Sequence, residues 1–257
     1  MIKAIFLDFD GTLFSHTNEC VPDSTVEAVK ECQKKGIKVY NCTGRSKTEM
    51  TWFDIKGIEY DGQILSNGQV ILDRNGEVLY ENPIKGELLE KMKEIYNAKK
   101  QTIYFVSNDD VFMNVYTDTV KRVQAAVSSE VPEIKEYHDE SIYMASAFFD
   151  TDEEKDALMA LKEYGEVTVW HEGAVDIVPK GTTKSSGIDF ICERYDINPE
   201  ETMGFGDGEN DISMLRKCGI GIAMGNATDE VKEIADYITD SIDDDGLYKA
   251  LKKYNII

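Results

Sequence analysis

From its N-terminus the chain alternates short apolar runs with stretches of helical period. Ile2 to Asp8 is an apolar, partly β-branched run that ends at a Gly-containing turn, so it reads as a strand. Pro22-Asp23-Ser24 opens a helix in which Val26, Val29 and Cys32 recur near helical spacing. Gly36 closes it after Lys34 and Lys35. Ile37 to Cys42 is a second strand. Ser46-Lys47-Thr48-Glu49 has the capping-box pattern and predicts a helix start. Ile64 to Ser66 is a third strand, and the Asn75-Gly76 pair predicts a hairpin between two further strands. The last third repeats the rhythm. Ile188, Ile191 and Tyr195 share a helical face, Met203 to Gly206 is a buried strand, Ile212 and Leu215 open a helix, and Ile220 to Met224 is another strand. Strands joined by helices at this spacing imply a parallel sheet covered on both faces.

The middle has a different pattern. Residues 101–107, 111–116, 141–149 and 166–179 read as strands, and 86–98, 118–129 and 152–164 as helices. The first two strands flank Asn108-Asp109-Asp110, which predicts a hairpin and so an antiparallel sheet. The expected organisation is an α/β core, residues 1–81 and 184–257, with an α+β domain at 82–183 inserted into it.

Composition narrows the classes. The 257 residues carry 28 Lys and Arg against 49 Asp and Glu, a net charge of −21. That balance argues against nucleic acid and anionic membranes as partners, because both are bound chiefly through Lys and Arg. No apolar run approaches the ~18 residues of a transmembrane helix, and the N-terminus lacks the pattern of a signal peptide. The five cysteines include no pair at metal-ligand spacing, which fits free thiols in a reducing cytoplasm.

Four segments fall where a parallel sheet presents its ligand-binding edge, beyond the carboxyl ends of its strands. Asp8-Phe9-Asp10-Gly11-Thr12 follows the first strand and sets two carboxylates two residues apart. Thr43-Gly44-Arg45 follows the second and offers a hydroxyl and backbone N–H groups to an anion. Lys184 lies near the start of a helix, where a cation is slightly unfavourable unless it meets an anion. Gly206-Asp207-Gly208-Glu209-Asn210-Asp211 places three acids and an amide on a Gly-rich loop.

This ordered set resembles the haloacid dehalogenase-like (HAD) hydrolase superfamily, and within it the Cof-type phosphatases of subfamily IIB. The resemblance covers essentially the whole chain and includes Asn67-Gly68 after the third strand. It implies a Rossmann-like core and an inserted α+β cap that governs substrate choice. It further implies that Asp8 is the nucleophile, forming an aspartyl-phosphate. Asp10 would be general acid and then general base, a role expected to need a raised pKa within the acidic cluster. Mg²⁺ would be held by the carboxylates of Asp8 and Asp207 and the backbone carbonyl of Asp10, with Asp211 in support. Lys184, Thr43, Asn210 and the backbone N–H groups of Phe9 and Gly44 would hold the phosphoryl oxygens.

The implied activity is hydrolysis of small phosphomonoesters such as sugar phosphates in the cytoplasm. Net phosphoryl transfer without release of phosphate would instead mark a sugar phosphomutase. Loss of Asp8, Asp10 or Lys184 would mark a non-catalytic phosphate sensor, and all three are present. Arg45 reads as able to reach the cap or substrate, or as a solvated residue at a helix start. His16, His138, Trp170 and His171 receive no role, and oligomeric state is open.

Overall fold

The computed structural model describes residues 1–126 and 130–257. In chain order its strands are β1 (Ala4–Leu7), β2 (Lys38–Cys42), β3 (Gly62–Leu65), β4 (Val70–Asp73), β5 (Val78–Glu81), β6 (Ile103–Val106) and β7 (Val111–Met113). They continue as β8 (Glu133–Ile134), β9 (Met144–Phe148), β10 (Gly165–His171), β11 (Ala174–Pro179), β12 (Thr202–Gly206), β13 (Ile220–Ala223) and β14 (Tyr237–Ile238). The chain divides into two compact units. One comprises Met1–Arg45, Thr51–Tyr80 and Thr183–Ile257, and the other Ser46–Met50 and Glu81–Thr182.

The first unit is built on an eight-stranded sheet of order β14-β13-β12-β1-β2-β3-β4-β5. From β14 to β3 every pairing is parallel, and β4 runs antiparallel to β3. Leu7 pairs in register with Phe205 on one side and with Asn41 on the other. The three central strands therefore end together, and Asp8, Thr43 and Asp207 leave the sheet at one edge. Ala4, Phe6, Tyr40, Cys42 and Ile64 form one buried face, against Ile188 and Ile191 of the Lys184–Tyr195 helix and Met214 and Leu215 of the Ile212–Lys217 helix. The alternate residues Ile5, Leu7 and Val39 are buried as well, as a sheet covered on both faces requires. Tyr195 departs from the expected helical face. It is the last helical residue and is 45% exposed, because the helix stops at Asp196 in a left-handed conformation.

The second unit has a six-stranded sheet of order β10-β11-β9-β6-β7-β8. Its pairings are antiparallel except between β7 and the two-residue β8. The expected hairpin is present, with Val106 opposite Val111. The run 166–179 is two antiparallel strands, because Glu172-Gly173 turns the chain back between β10 and β11. On one face the Gly86–Ala98 helix buries Leu88, Met92 and Tyr96 against Phe105, Ala145 and Ile177. On the other, Val120 and Val123 of the Asp118–Ala126 helix pack on Tyr104, Val106 and Phe148. The final residues of the helix expected over 118–129 lie outside the described residues.

The capping box at Ser46 forms as expected. Glu49 N–H donates to Ser46 Oγ (3.2 Å) and Ser46 N–H to the Glu49 carboxylate (2.7 Å). The helix it opens is a single turn, Lys47–Met50.

Candidate active site

The geometry is set by the parallel register, which delivers Asp8 from β1 and Asp207 from β12 to neighbouring positions. Gly11 lets the first loop close on the second. Its φ is +74°, and a Cβ there would lie 2.3 Å from Asp207 Oδ2. Thr12 Oγ1 donates to Asp207 Oδ1 at 2.9 Å, locking the two motifs together.

Lys184 is the centre of the arrangement. It is 1% exposed, and its Nζ donates to Asp8 Oδ1 at 2.5 Å and to Asp211 Oδ1 at 2.6 Å. Burial alone would push this ammonium down, but Asp211 and Asp8 outweigh it and keep the group charged. Asp211 is fully buried, and its second oxygen accepts the N–H groups of Asp207 and Gly208, each at 2.9 Å. Burial and the nearby Asp211 raise Asp8 well above the ordinary carboxylate range, against the pull of Lys184. Burial and Asp211 also push Asp207 up to about 7, although the Thr12 hydrogen bond opposes this. Three carboxylates thus share one ammonium.

Asp10 does not follow the expected raised pKa. Burial acts to raise it, but hydrogen bonds from His16 and Arg45 win and lower it to about 2. Arg45 donates from Nε to Oδ2 at 2.8 Å and from Nη2 to Oδ1 at 2.7 Å, a bidentate clamp, and His16 Nε2 lies 2.7 Å from Oδ1. The guanidinium also stacks over Phe53, 4.3 Å from the ring centroid, and Phe53 packs edge-on against Phe9 and Phe14. Arg45 is therefore held by Asp10 and an aromatic face rather than by solvent. The clamp spans 35 residues of sequence, so no local pattern announces it; the Arg after Thr43-Gly44 is its one sequence cue.

Thr43 is buried, with its hydroxyl accepting the Arg45 N–H at 3.1 Å. Gly44 leaves room for Asn67, whose amide would lie 3.3 Å from a Cβ at that position. Asn67 takes a left-handed conformation, and its Oδ1 accepts from Asn210 Nδ2 at 3.1 Å. Both residues thus join the Thr43–Arg45 turn to the last motif. The Phe9 side chain is fully buried, stacked on Phe14. His138, Trp170 and His171 belong to the second unit. His171 ends β10, where its Nδ1 accepts the Gly173 N–H at 3.2 Å, and Trp170 packs edge-on to Phe148.

Asp8, Asp207 and Asp211 offer oxygens all within 4.8 Å of one another, a cluster able to hold a metal ion. All the donors are oxygen, and carboxylate charge exceeds the single ammonium among them. That combination suits a hard cation. Asp211 is the least available, because both its oxygens are already engaged by Lys184 and by two backbone N–H groups.

Comparison with known proteins identifies the family. Residues 5–251 match a family described as haloacid dehalogenase-like hydrolase. The Bacillus subtilis (strain 168) protein YkrA, provisionally named a phosphatase, is 33% identical over 262 residues, covering 99% of this chain and 98% of that one. The solved structure of BT1666 from Bacteroides thetaiotaomicron, described among phosphatases of the HAD superfamily, superposes with a TM-score of 0.90. It is 34% identical and covers 100% of this chain and 96% of that one. BT4131, described as a sugar phosphatase of HAD subclass IIB, superposes at 0.87 with 35% identity, covering 99% of this chain and all of the other.

Proposed function

The chain belongs to the haloacid dehalogenase-like hydrolases and is a phosphatase of that superfamily, and from this premise we propose that it hydrolyses small phosphomonoesters with Mg²⁺, through an aspartyl-phosphate on Asp8. The observation that carries the reading is the Lys184 ammonium bridging Asp8 and Asp211, with Asp207 beside them. A carboxylate attacking a phosphate ester faces like-charge repulsion, and buried positive charge is what offsets it.

In the first half-reaction an Asp8 oxygen forms a bond to phosphorus as the ester P–O bond breaks, and the leaving alkoxide takes the proton of a protonated Asp10. Lys184 neutralises charge on Asp8 and on the transferring group. Thr43, Asn210 and the backbone N–H groups of Phe9 and Gly44 hold the phosphoryl oxygens. Phosphoryl transfer is mostly positioning and electrostatics, and these groups supply both. In the second half-reaction water attacks the phosphorus of the aspartyl-phosphate, its proton passes to Asp10, and the Asp8 carboxylate is regenerated. As held by Arg45 and His16, Asp10 is a carboxylate, the form that accepts this proton. Its service as acid to the alkoxide requires a proton and release from the Arg45 clamp.

Mg²⁺ would be held by the carboxylates of Asp8 and Asp207 and the backbone carbonyl of Asp10, with Asp211 positioning Lys184 and the Asp207 loop. When bound, it supplies positive charge to the phosphoryl oxygens. The inserted unit would govern the choice of leaving group, with sugar phosphates the first class to examine; BT4131 is described as a sugar phosphatase. A phosphate-release assay over a panel of phosphorylated metabolites tests this. We expect release with Mg²⁺ and none after exhaustive chelation. Full activity after chelation contradicts the metal's role.

A further inference from the structure

We propose that Asn226 is a positioning residue for the cation site, fixing the Asp207 carboxylate in the orientation that metal binding needs. The proposal rests on the Mg²⁺ site proposed above and goes beyond its ligands to a residue outside the four motifs.

Asn226 lies in the turn after β13, and the backbone sets that turn firmly. Met224 N–H donates to Gly206 O at 3.0 Å and Thr228 N–H to Asp207 O at 3.1 Å, tying the turn to the end of β12. On its other side Gly225 N–H donates to Asp240 O at 3.0 Å, and a Cβ at Gly225 would lie 2.5 Å from the Ser241 nitrogen. The turn is thus wedged between the Asp207 loop and the 240–242 segment.

From this position both ends of the Asn226 amide are used. Its Oδ1 accepts the Ile242 N–H at 3.0 Å. Its Nδ2 donates to the Gly11 carbonyl at 2.9 Å and, in a longer contact of 3.4 Å, to Asp207 Oδ2. A primary amide has two N–H donors and an acceptor, so one side chain satisfies all three contacts. Asp207 is consequently held at both oxygens, by Thr12 at Oδ1 and by Asn226 at Oδ2. Each carboxylate oxygen accepts twice, so both contacts leave capacity for a cation while resisting rotation of the group. Asn226 also pins Gly11 against Asp207, the close approach on which the joining of the two motifs depends. Partners that orient a metal ligand tune how tightly the metal is held.

A plain structural staple would predict otherwise. The 240–246 segment has a second anchor in Asp243, whose Oδ1 accepts from Ser15 Oγ at 2.5 Å and Asn18 Nδ2 at 2.8 Å without touching Asp207. Loosening the segment through Asp243 therefore separates anchoring of the loop from orientation of Asp207.

The experiment is a Mg²⁺ titration of thermal stability on the full chain, with turnover measured alongside. For Asn226→Ala we expect the Mg²⁺ midpoint to rise ~10-fold, with kcat at saturating Mg²⁺ falling no more than about 3-fold. Thr12→Val, which removes the other bond to Asp207, should shift the midpoint in the same direction. Asp243→Ala should leave it where the wild type has it. A cooperatively melting Asn226→Ala protein with an unchanged midpoint overturns the proposal, and so does an Asp243→Ala protein shifted as far as Asn226→Ala. A wild-type protein that Mg²⁺ does not stabilise at all removes the cation site itself, a distinct failure that takes the proposal with it.

Discussion

Two carboxylates only two residues apart are driven in opposite directions. Asp8 sits beside Asp211 and Asp207 with Lys184 as their shared cation, and it is raised well above the ordinary range. Asp10 sits between His16 and a bidentate Arg45 and is lowered to about 2. The burial cost acts on both in the same sense, so the difference lies in the partners. On the Asp8 side acids outnumber the cation, which makes it a place for an added positive charge. On the Asp10 side the charge is already matched by the protein's own side chains. Net charge alone misses this. The −21 of the whole chain is mostly solvated surface, and the chemistry rests on how a few acids are partnered.

The largest change comes from removing the shared cation. Lys184→Met leaves Asp8 and Asp211 facing each other without it. Activity should fall at least ~100-fold, and stability at pH 8 by ~3 kcal/mol, the usual cost of unpairing a buried charge. Part of that stability should return toward pH 5 as the carboxylates take up protons. Chemical denaturation at both pH values is the check; a loss independent of pH would show that the acids do not depend on Lys184.

Next is the other side of the comparison. A carboxylate whose folded pKa is lowered contributes stability above its unfolded value, and that contribution disappears as the pH falls through the folded one. Asp10 should therefore stabilise the fold above about pH 4 and cease to do so near pH 2. Arg45→Ala should be less stable than wild type at neutral pH, with the gap narrowing between pH 4 and 2. A gap that stays constant over that range would mean that Arg45 acts through its stacking on Phe53.

The smallest effect comes from a half-buried acid that has no cation against it among the described residues. Asp176, on β11 of the second unit, is hydrogen-bonded to Ser146 at 2.6 Å and is pushed up to about 7, mainly by burial. Here the sign reverses. The unfolded chain ionises near 3.8 while the folded one keeps its proton, so stability falls as pH rises from about 4 to 7. Asp176→Asn should be no more stable than wild type at pH 4 and should gain ~1–2 kcal/mol above pH 7. A difference that does not change with pH would refute the assignment.

Much of this was legible in the sequence, for physical reasons that also mark where legibility ended. Apolar runs between helical periods located β1, β2, β12 and β13, and Asn75-Gly76 marked its hairpin, because these signals are local. The two-residue strands β8 and β14 carry no period to detect. The capping box at Ser46 was readable, but the one-turn length of its helix was not, since caps start helices without setting their length. Tyr195 had the spacing of a buried face but is the last residue of its helix, where the chain turns away at Asp196. The four motifs were visible as compact residue patterns after strands. Arg45 and His16 on Asp10, and Asn226 on Asp207, are contacts across loops, and only the fold brings them together.

The central claim is that Asp8 becomes covalently phosphorylated. Its most direct test is rapid acid quenching of the enzyme during turnover of a good phosphomonoester with Mg²⁺, followed by peptide mass analysis. The account predicts a phosphoryl group on the peptide containing Asp8, and neither that group nor turnover in a folded Asp8→Asn protein. Turnover near wild type in Asp8→Asn, or a phosphoryl group trapped on a different residue, would contradict it.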